Sequence, residues 1–265
     1  MDARRIVEQA MPGSWPLGLS DPVGSRALPY VRQLVQRRAA GEPLQYVLGR
    51  WGFRNLELFV DRRVLIPRPE TEQVVEVALA ELRRLAADGT DEIVIVDLGT
   101  GSGAIALSLA AEGEKGAVWA TDQSADALAV ARANLAGMAG RAATRVRLSQ
   151  GSWWDALPGE LRGRVSLAVS NPPYVSRAEM AELPEVVADW EPHDALEAGP
   201  TGLESLEAII VKAPAWLSRP AALVVEMAPH QAPAVAALAE SAGFAPVRTE
   251  ADLAGRPRAL VARLA

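Results

Sequence analysis

Two short stretches gather residue types that do chemistry. The first is Asn171-Pro172-Pro173-Tyr174, which follows the apolar run "VSLAVS". An asparagine oxygen and a backbone carbonyl both accept hydrogen bonds, and a proline ring holds φ at about −65°, so the Pro172 carbonyl keeps one direction. Two fixed acceptors suit a planar amino group. Its nitrogen lone pair is delocalised and attacks poorly. Acceptors aimed at its N–H bonds draw the nitrogen out of plane and point the remaining lobe at an electrophilic carbon. Tyr174 offers a flat surface on which such a group stacks. No ordinary general base lies nearby in sequence, so positioning and electrostatics would carry the acceleration.

The second stretch is "DLGTGSG", residues 97–103, with Gly99, Gly101 and Gly103 interleaved with Thr100 and Ser102. Between a strand and a helix, missing Cβ atoms let the backbone turn tightly and approach a ligand. Gly99, Gly101 and Ala104 also satisfy the dinucleotide fingerprint, so a nicotinamide cofactor is the competing expectation. Asp97 argues against it. A carboxylate there repels a pyrophosphate and suits the ammonium and sulfonium charges of S-adenosylmethionine. Asp122, ending the next strand, is placed to accept from two ribose hydroxyls with either cofactor. Alone, the Asn-Pro-Pro-Tyr stretch reads better as an ordinary turn and the glycine stretch is weak evidence; together they point to methyl transfer onto a planar amine.

The surrounding pattern supplies elements to position them. "IVIVDLG", "AVWATD", "RVRLSQ" and "VSLAVSN" read as strands, with "GAIALSLAAE" and "ADALAVARANLA" as helices between the first three. "LESLEAIIVKAPAWL" and "QAPAVAALAESAG" continue as helices, and "AALVVEM", "FAPVRTE" and "ALVARL" as strands. This rhythm implies right-handed crossovers and a parallel sheet, whose ligands bind outside the carboxyl ends of the strands. Both chemical stretches fall at such ends. Upstream, "ARRIVEQAM" and "LPYVRQLVQRRAA" have helical spacing, separated by the breaker-rich "PGSWPLGLSDPVGS". "LQYVLGRWGFRNLELFVDRRVLIP" reads as a β-hairpin turning within Gly52–Asn55. Thr71 is expected to cap a helix burying Val74, Val75, Ala78, Leu79, Leu82 and Leu85.

Composition excludes several classes. The 265 residues suffice for one α/β core and a small appended module. With 49% hydrophobic and 23% charged residues, disorder is not expected. No apolar run approaches the ~20 residues that cross a bilayer, and Met1–Ala10 lacks the apolar core of a signal peptide, so a cytoplasmic location is expected. The absence of cysteine removes disulfides, thiolate zinc sites and cysteine nucleophiles, and fits a reducing compartment. With His193 and His230 as its two histidines, the chain is not expected to build a metal site. His193 reads as a surface side chain, and His230 has no evident role. Charge is uneven: residues 1–69 hold 11 arginines against 6 acidic residues, and the rest holds 16 basic against 27 acidic side chains. The basic module is either a solvated cap or a partner-docking surface.

In this combination the chain resembles class I S-adenosylmethionine-dependent methyltransferases that act on planar amino groups. More narrowly, "GEPLQYVLG", "LIPRPETE", "SNPPYV", "EPHDALEAGPTGL" and "DLAGRPRALVAR" resemble the release-factor glutamine methyltransferases, the HemK or PrmC family, from about Gly41 to the C-terminus. The resemblance implies a Rossmann-like class I methyltransferase sheet, mostly parallel with an antiparallel last strand. It also implies a small N-terminal helical segment (1–43), a β-hairpin connector (44–69) and a methyltransferase domain (70–265). It implies transfer from S-adenosylmethionine to N5 of the glutamine in the Gly-Gly-Gln motif of peptide chain release factors. The cofactor site would fall on Asp97, Gly99, Thr100, Gly101, Ser102, Gly103, Asp122 and Trp153, with Trp154 the alternative cover for adenine. Asn171 would touch both cofactor and substrate, and Asn171, Pro172, Pro173 and Tyr174 would hold the amide. Ser152 stands where many relatives carry an acid, and the helical segment is shorter than the family's usual one. Glu191 and Pro192 are expected to shape the loop after the clamp, and Arg68 and Glu70 to order the approach to the site or pair locally. A release factor is the expected partner, with no membrane and no direct nucleic acid. Three rivals stand beside this reading: a ribosomal-protein glutamine methyltransferase, a nucleic-acid adenine N6-methyltransferase, and a cofactor-binding module without catalysis. An adenine enzyme should carry a basic recognition domain, which the acidic body does not offer.

Overall fold

The computed structural model describes residues 2–10, 24–89, 92–113, 115–138 and 140–265. Most of the breaker-rich segment between the first two helices lies outside the described residues. Helices α1 (Asp2–Ala10), α2 (Leu28–Ala39) and α3 (Leu44–Leu48) lead into a hairpin of β1 (Arg50–Phe53) and β2 (Leu56–Phe59), which turns at Arg54 and Asn55. Ile6, Val31, Leu34 and Val47 form a small apolar cluster of their own across the three helices. Several arginines of this basic region are paired: Arg37 with Glu42, Arg38 with Asp2, and Arg54 with Glu112 and Glu76.

Next come α4 (Pro69–Ala87), β3 (Val94–Leu98), α5 (Ala104–Glu112), β4 (Ala117–Asp122), α6 (Ala125–Gly137), β5 (Val146–Gln150) and β6 (Val165–Ser170). The loop after β6 carries β7 (Val175–Ser176), α7 (Glu185–Ala188) and β8 (Glu197–Gly199), with β7 and β8 paired as a small parallel ribbon. The chain closes with α8 (Glu204–Lys212), β9 (Leu217–Glu226), α9 (Ala232–Ser241), β10 (Val247–Ala251) and β11 (Pro257–Leu264). The seven-stranded sheet has the order β10-β11-β9-β6-β3-β4-β5, with β11 alone reversed.

Every residue of β3 and β6 is buried, as strands covered on both faces must be. One layer, built from the inner faces of α4, α5 and α6 with the hairpin, packs on one side of the sheet; α8 and α9 pack on the other. The six apolar positions expected on α4 are all buried. The helix expected to run on to Leu217 ends instead at Lys212, and a 3-10 turn follows, because Pro214 has no N–H to continue the ladder. Strand order reverses beside β3, since β4 and β5 extend one way and β6 the other; that is where such sheets open a crevice.

Asn134 on α6 fastens the hairpin to the cofactor-loop side of the sheet. Its Oδ1 accepts from Phe59 N at 2.7 Å, and its Nδ2 donates to Phe59 O at 3.0 Å and Ser102 O at 2.8 Å. Glu81 of α4 does the same at the far edge. It is 1% exposed and accepts from Arg84, Arg248 and Arg263 at 2.7–2.9 Å, tying the helix to β10 and β11. Burial alone would raise the Glu81 carboxyl, but hydrogen bonds from Arg263, Arg248 and Arg84 outweigh it and hold the group at about 2. Glu81→Gln is therefore expected to lower unfolding free energy by about 3 kcal/mol at neutral pH, measured by urea titration. With the folded value depressed, this contribution is present in full above the ordinary value of 4.5 and vanishes as the pH falls through about 2. Wild type and variant should therefore converge in acid.

Candidate active site

The carboxyl ends of β3, β4 and β6 open into one cavity of about 500 Å³. Its floor is the turn after β3. Gly99, Gly101 and Gly103 take φ of +76°, +55° and +86°, and the N–H groups of Gly99 and Thr100 both donate to Thr121 O at the end of β4. At Gly99 the positive φ favours glycine, and a Cβ there would lie a tight 3.3 Å from the Trp153 ring.

Asp122 ends β4 at the cavity wall. Its Oδ2 accepts from Gly101 N and its Oδ1 from Ser124 N, both at 2.9 Å. Each oxygen keeps acceptor capacity for a diol. Burial raises this carboxyl above its usual range, and backbone N–H groups of Ser124, Gly101 and Gln123 pull against the rise. Asp97 is fully buried and lies beneath the turn, outside the cavity wall. Its Oδ2 accepts from Thr100 Oγ1 at 2.6 Å and Ala106 N at 3.1 Å, bracing the turn and the first residues of α5. Its Oδ1 has no partner among the described residues. Burial pushes Asp97 up to about 7, opposed by the bonds from Thr100 and Ala106 and assisted by the neighbouring Asp122 charge.

The two adjacent tryptophans part company. Trp153 adopts φ +45°, an uncommon conformation for a bulky residue, and its indole lines the cavity against Gly99. Trp154 is fully buried on the opposite side, where its Nε1 donates to Ile209 O at 2.9 Å and its ring stacks on Trp216 at 6.0 Å. The core thus takes Trp154 and leaves Trp153 as the aromatic wall.

Asn171, just past β6, is half-buried on the same wall with Pro173, while Pro172 is buried behind them and Tyr174 also lies outside the wall. Asn171 Nδ2 donates to Thr71 Oγ1 at 3.1 Å, and Thr71 Oγ1 donates to Glu226 Oε2 at 2.7 Å. The Tyr174 hydroxyl donates to Glu226 Oε1 at 3.3 Å. Burial raises the Tyr174 hydroxyl, and the Glu226 charge adds to the rise. The parallel register of β6 and β9 sets Ser170 beside Val225, so Asn171 and Glu226 leave the sheet side by side.

Of the residues singled out in the sequence, Gly99, Thr100, Gly101, Ser102, Asp122, Trp153, Asn171 and Pro173 meet on this wall; Asp97, Gly103, Pro172 and Tyr174 stand behind it. Thr71 does not cap α4: Arg68 occupies the cap position, and the Thr71 hydroxyl turns inward to Glu226. Arg68 pairs with Glu191 and Glu70 with Arg256, rather than with each other. Leu65, Pro67, Pro192 and Asp194 also line the cavity and carry no helix or strand spacing that would have marked them. Buried Glu191 clasps their two segments, accepting from Ile66 N and Arg68. His193 is exposed against Ala188 O, and His230 lies on the surface 3.6 Å from Glu179. No group of acidic or histidine side chains among the described residues could hold a metal ion, and no helix among them is long and apolar enough to cross a membrane.

A methyltransferase small domain matches residues 79–188. Release factor glutamine methyltransferase of Cereibacter sphaeroides is 41% identical over 99% of this chain and 90% of its own. That of Bordetella pertussis is 42% identical over 97% and 92%, and that of Synechocystis 40% identical over 83% and 73%. Among solved structures, a methyltransferase from Pyrococcus furiosus has a TM-score of 0.52 at 14% identity, covering 89% of this chain and 98% of that one. The hMettl16 catalytic domain in complex with MAT2A 3'UTR hairpin 1 has a TM-score of 0.57 at 17% identity, covering 93% and 82%. At these identities the structural likenesses speak for the fold alone.

The wall suits S-adenosylmethionine: a paired acid for the ribose, an indole for the base, and beneath the turn a carboxylate oxygen with no hydrogen-bond donor. A bound cation favours ionised Asp97, so affinity for the cofactor is expected to tighten several-fold as the pH rises from about 6 to 8, read by calorimetric titration. Asp97→Asn should flatten that dependence and weaken binding on the order of tenfold.

Proposed function

The chain belongs to the release factor glutamine methyltransferase family, and from that membership we infer that it methylates a release-factor glutamine at N5, within the Gly-Gly-Gln motif. When bound, S-adenosylmethionine would supply a methyl group on a sulfonium that departs as a neutral thioether, and the methylated nitrogen returns to a neutral amide by releasing one of its two protons to solvent. The observation that carries the reading is the Asn171 side chain, tethered through Nδ2 to Thr71 and keeping Oδ1 as a free acceptor on the cavity wall. Oδ1 accepts from an N–H bond of the substrate amide, and Pro172, buried behind the wall, fixes the turn that presents it. That hold orients the nitrogen lobe and withholds it from resonance with its carbonyl. Pro173 stiffens the turn, and Tyr174, anchored at Glu226, braces it from behind. On the cofactor side, Asp122 takes the ribose hydroxyls, Trp153 covers the base, and Asp97 holds the glycine turn in shape from below.

An adenine amine would meet the same acceptors, and so would a ribosomal-protein glutamine. Relatives about as similar as 40% over most of the chain favour the release factor. Residues 1–43 and the hairpin 44–69 belong to this reading as a docking segment and connector ahead of the catalytic domain 70–265. The separate apolar cluster of α1, α2 and α3 supports that division. A translation factor as substrate agrees with a cytoplasmic location.

With tritiated cofactor, label is expected on the glutamine of the Gly-Gly-Gln loop of a purified release factor. Asn171→Ala should lower kcat/KM by about 10²–10³-fold, the range seen when one oriented polar partner is lost, and leave cofactor binding within a few-fold. Label appearing on a ribosomal protein or on nucleic acid instead would overturn the substrate assignment.

A further inference from the structure

Glu226 and Thr71 are both buried, at 1% and 3% exposure; Thr71 lies at the cavity lining, Glu226 behind it, and neither reads as a catalytic group in the sequence. Their hydrogen bonds form a directed chain. A threonine hydroxyl has one proton, and here it is donated to Glu226 Oε2. With that proton committed, Thr71 Oγ1 can only accept, so the group of Asn171 that faces it must be the amide NH2. The carbonyl end of Asn171 is then left for the cavity. The second carboxylate oxygen, Oε1, receives the Tyr174 hydroxyl, so one buried carboxylate steadies both ends of the Asn171–Tyr174 corner.

We propose that Glu226 and Thr71 are positioning residues that set the polarity of the amide clamp, committing Asn171 to present an acceptor rather than a donor to the substrate. This rests on the reading that Asn171 grips the substrate amide. An asparagine amide is nearly symmetric in shape, and its two ends differ only in donating or accepting. Without a reference for polarity both orientations are open to it, and the one that turns NH2 toward the substrate N–H bonds sets donor against donor and loosens the grip.

The same geometry ties the clamp to proton concentration. Glu226 is faced by Thr71 and Glu70 from α4, by Tyr174 from the loop after β6, and by Arg258 from β11, itself held by Asp252. Burial pushes the Glu226 carboxyl up to about 7, against the Thr71 bond, the Arg258 charge and the Tyr174 bond, with the Glu70 charge adding to the rise. A protonated Glu226 donates to Thr71, which frees the Thr71 proton to donate to Asn171 Oδ1 and turns the amide over. Transfer is fastest with Glu226 ionised and falls as the pH drops through about 7.

The test measures kcat at saturating cofactor and release factor across pH 5.5–9, together with the cofactor dissociation constant, for wild type, Thr71→Val, Thr71→Ser and Glu226→Gln. Thr71→Val keeps the side-chain shape without a hydroxyl. Its kcat is expected to fall on the order of 10²-fold with the cofactor constant within about threefold, and Thr71→Ser to recover to within about threefold of wild type. Glu226→Gln is expected to lower kcat and to abolish the acid limb near neutrality. A Thr71→Val protein as fast as wild type, a Thr71→Ser protein as slow as Thr71→Val, or a Glu226→Gln protein that retains the acid limb overturns this inference alone. Wild-type protein that binds cofactor and never labels a release factor overturns the reading of function, and this inference with it.

Discussion

An amide nitrogen attacks a methyl group only while something holds its N–H bonds out of conjugation, so the site depends on acceptors that cannot turn away. The fold meets that constraint by converging three elements on one point. Strand β6 delivers Asn171, the neighbouring parallel strand β9 delivers Glu226 in register with it, and the first turn of α4 lays Thr71 between them. Each is separated from the others by 50 residues or more of chain, and the two hydrogen bonds that join them span 100 and 155 positions. Such long-range contacts are held in place because the sheet is packed on both faces and α4 buries its inner face against it.

The cofactor side shows the same economy in a different form. Asp97 is held entirely out of water, bonded to Thr100 and to the start of α5, and so shapes the glycine turn from beneath instead of meeting the ligand edge-on. Asp122, one strand away, stays on the wall with lone pairs to spare. Two carboxylates at equivalent strand ends are therefore placed differently, one buried beneath the turn and the other on the cavity wall. Trp153 adds local backbone strain, and the packing of Trp154 against Ile209 and Trp216 supplies the anchor that sustains it.

Much of this was legible from residue pattern. The apolar spacing of α4, the alternation of buried strands and helices, and the placing of both chemical stretches at strand ends follow from periodicities that the backbone imposes on any chain. Five separated motifs in order carried the family. Pro192 was expected to shape the loop after the clamp, but Leu65, Pro67 and Asp194 of the cavity rim were not legible as site residues, because irregular segments have no period to reveal which side chain faces inward. Thr71 misled for a related reason: a hydroxyl at a helix start ordinarily serves the helix, and its turn toward Glu226 is visible only once β9 lies beneath it.

The sequence by itself determined which chemistry was possible. Residue types set what each group can donate, accept or stack upon, and the three glycines with the two prolines constrain the backbone locally, wherever the chain goes. Tertiary structure decided which of two identical indoles faces the cavity, which acid touches it, and which end of Asn171 points outward. Those choices turn on the environment on either side of a side chain, and that environment is assembled from strands and helices distant in the chain.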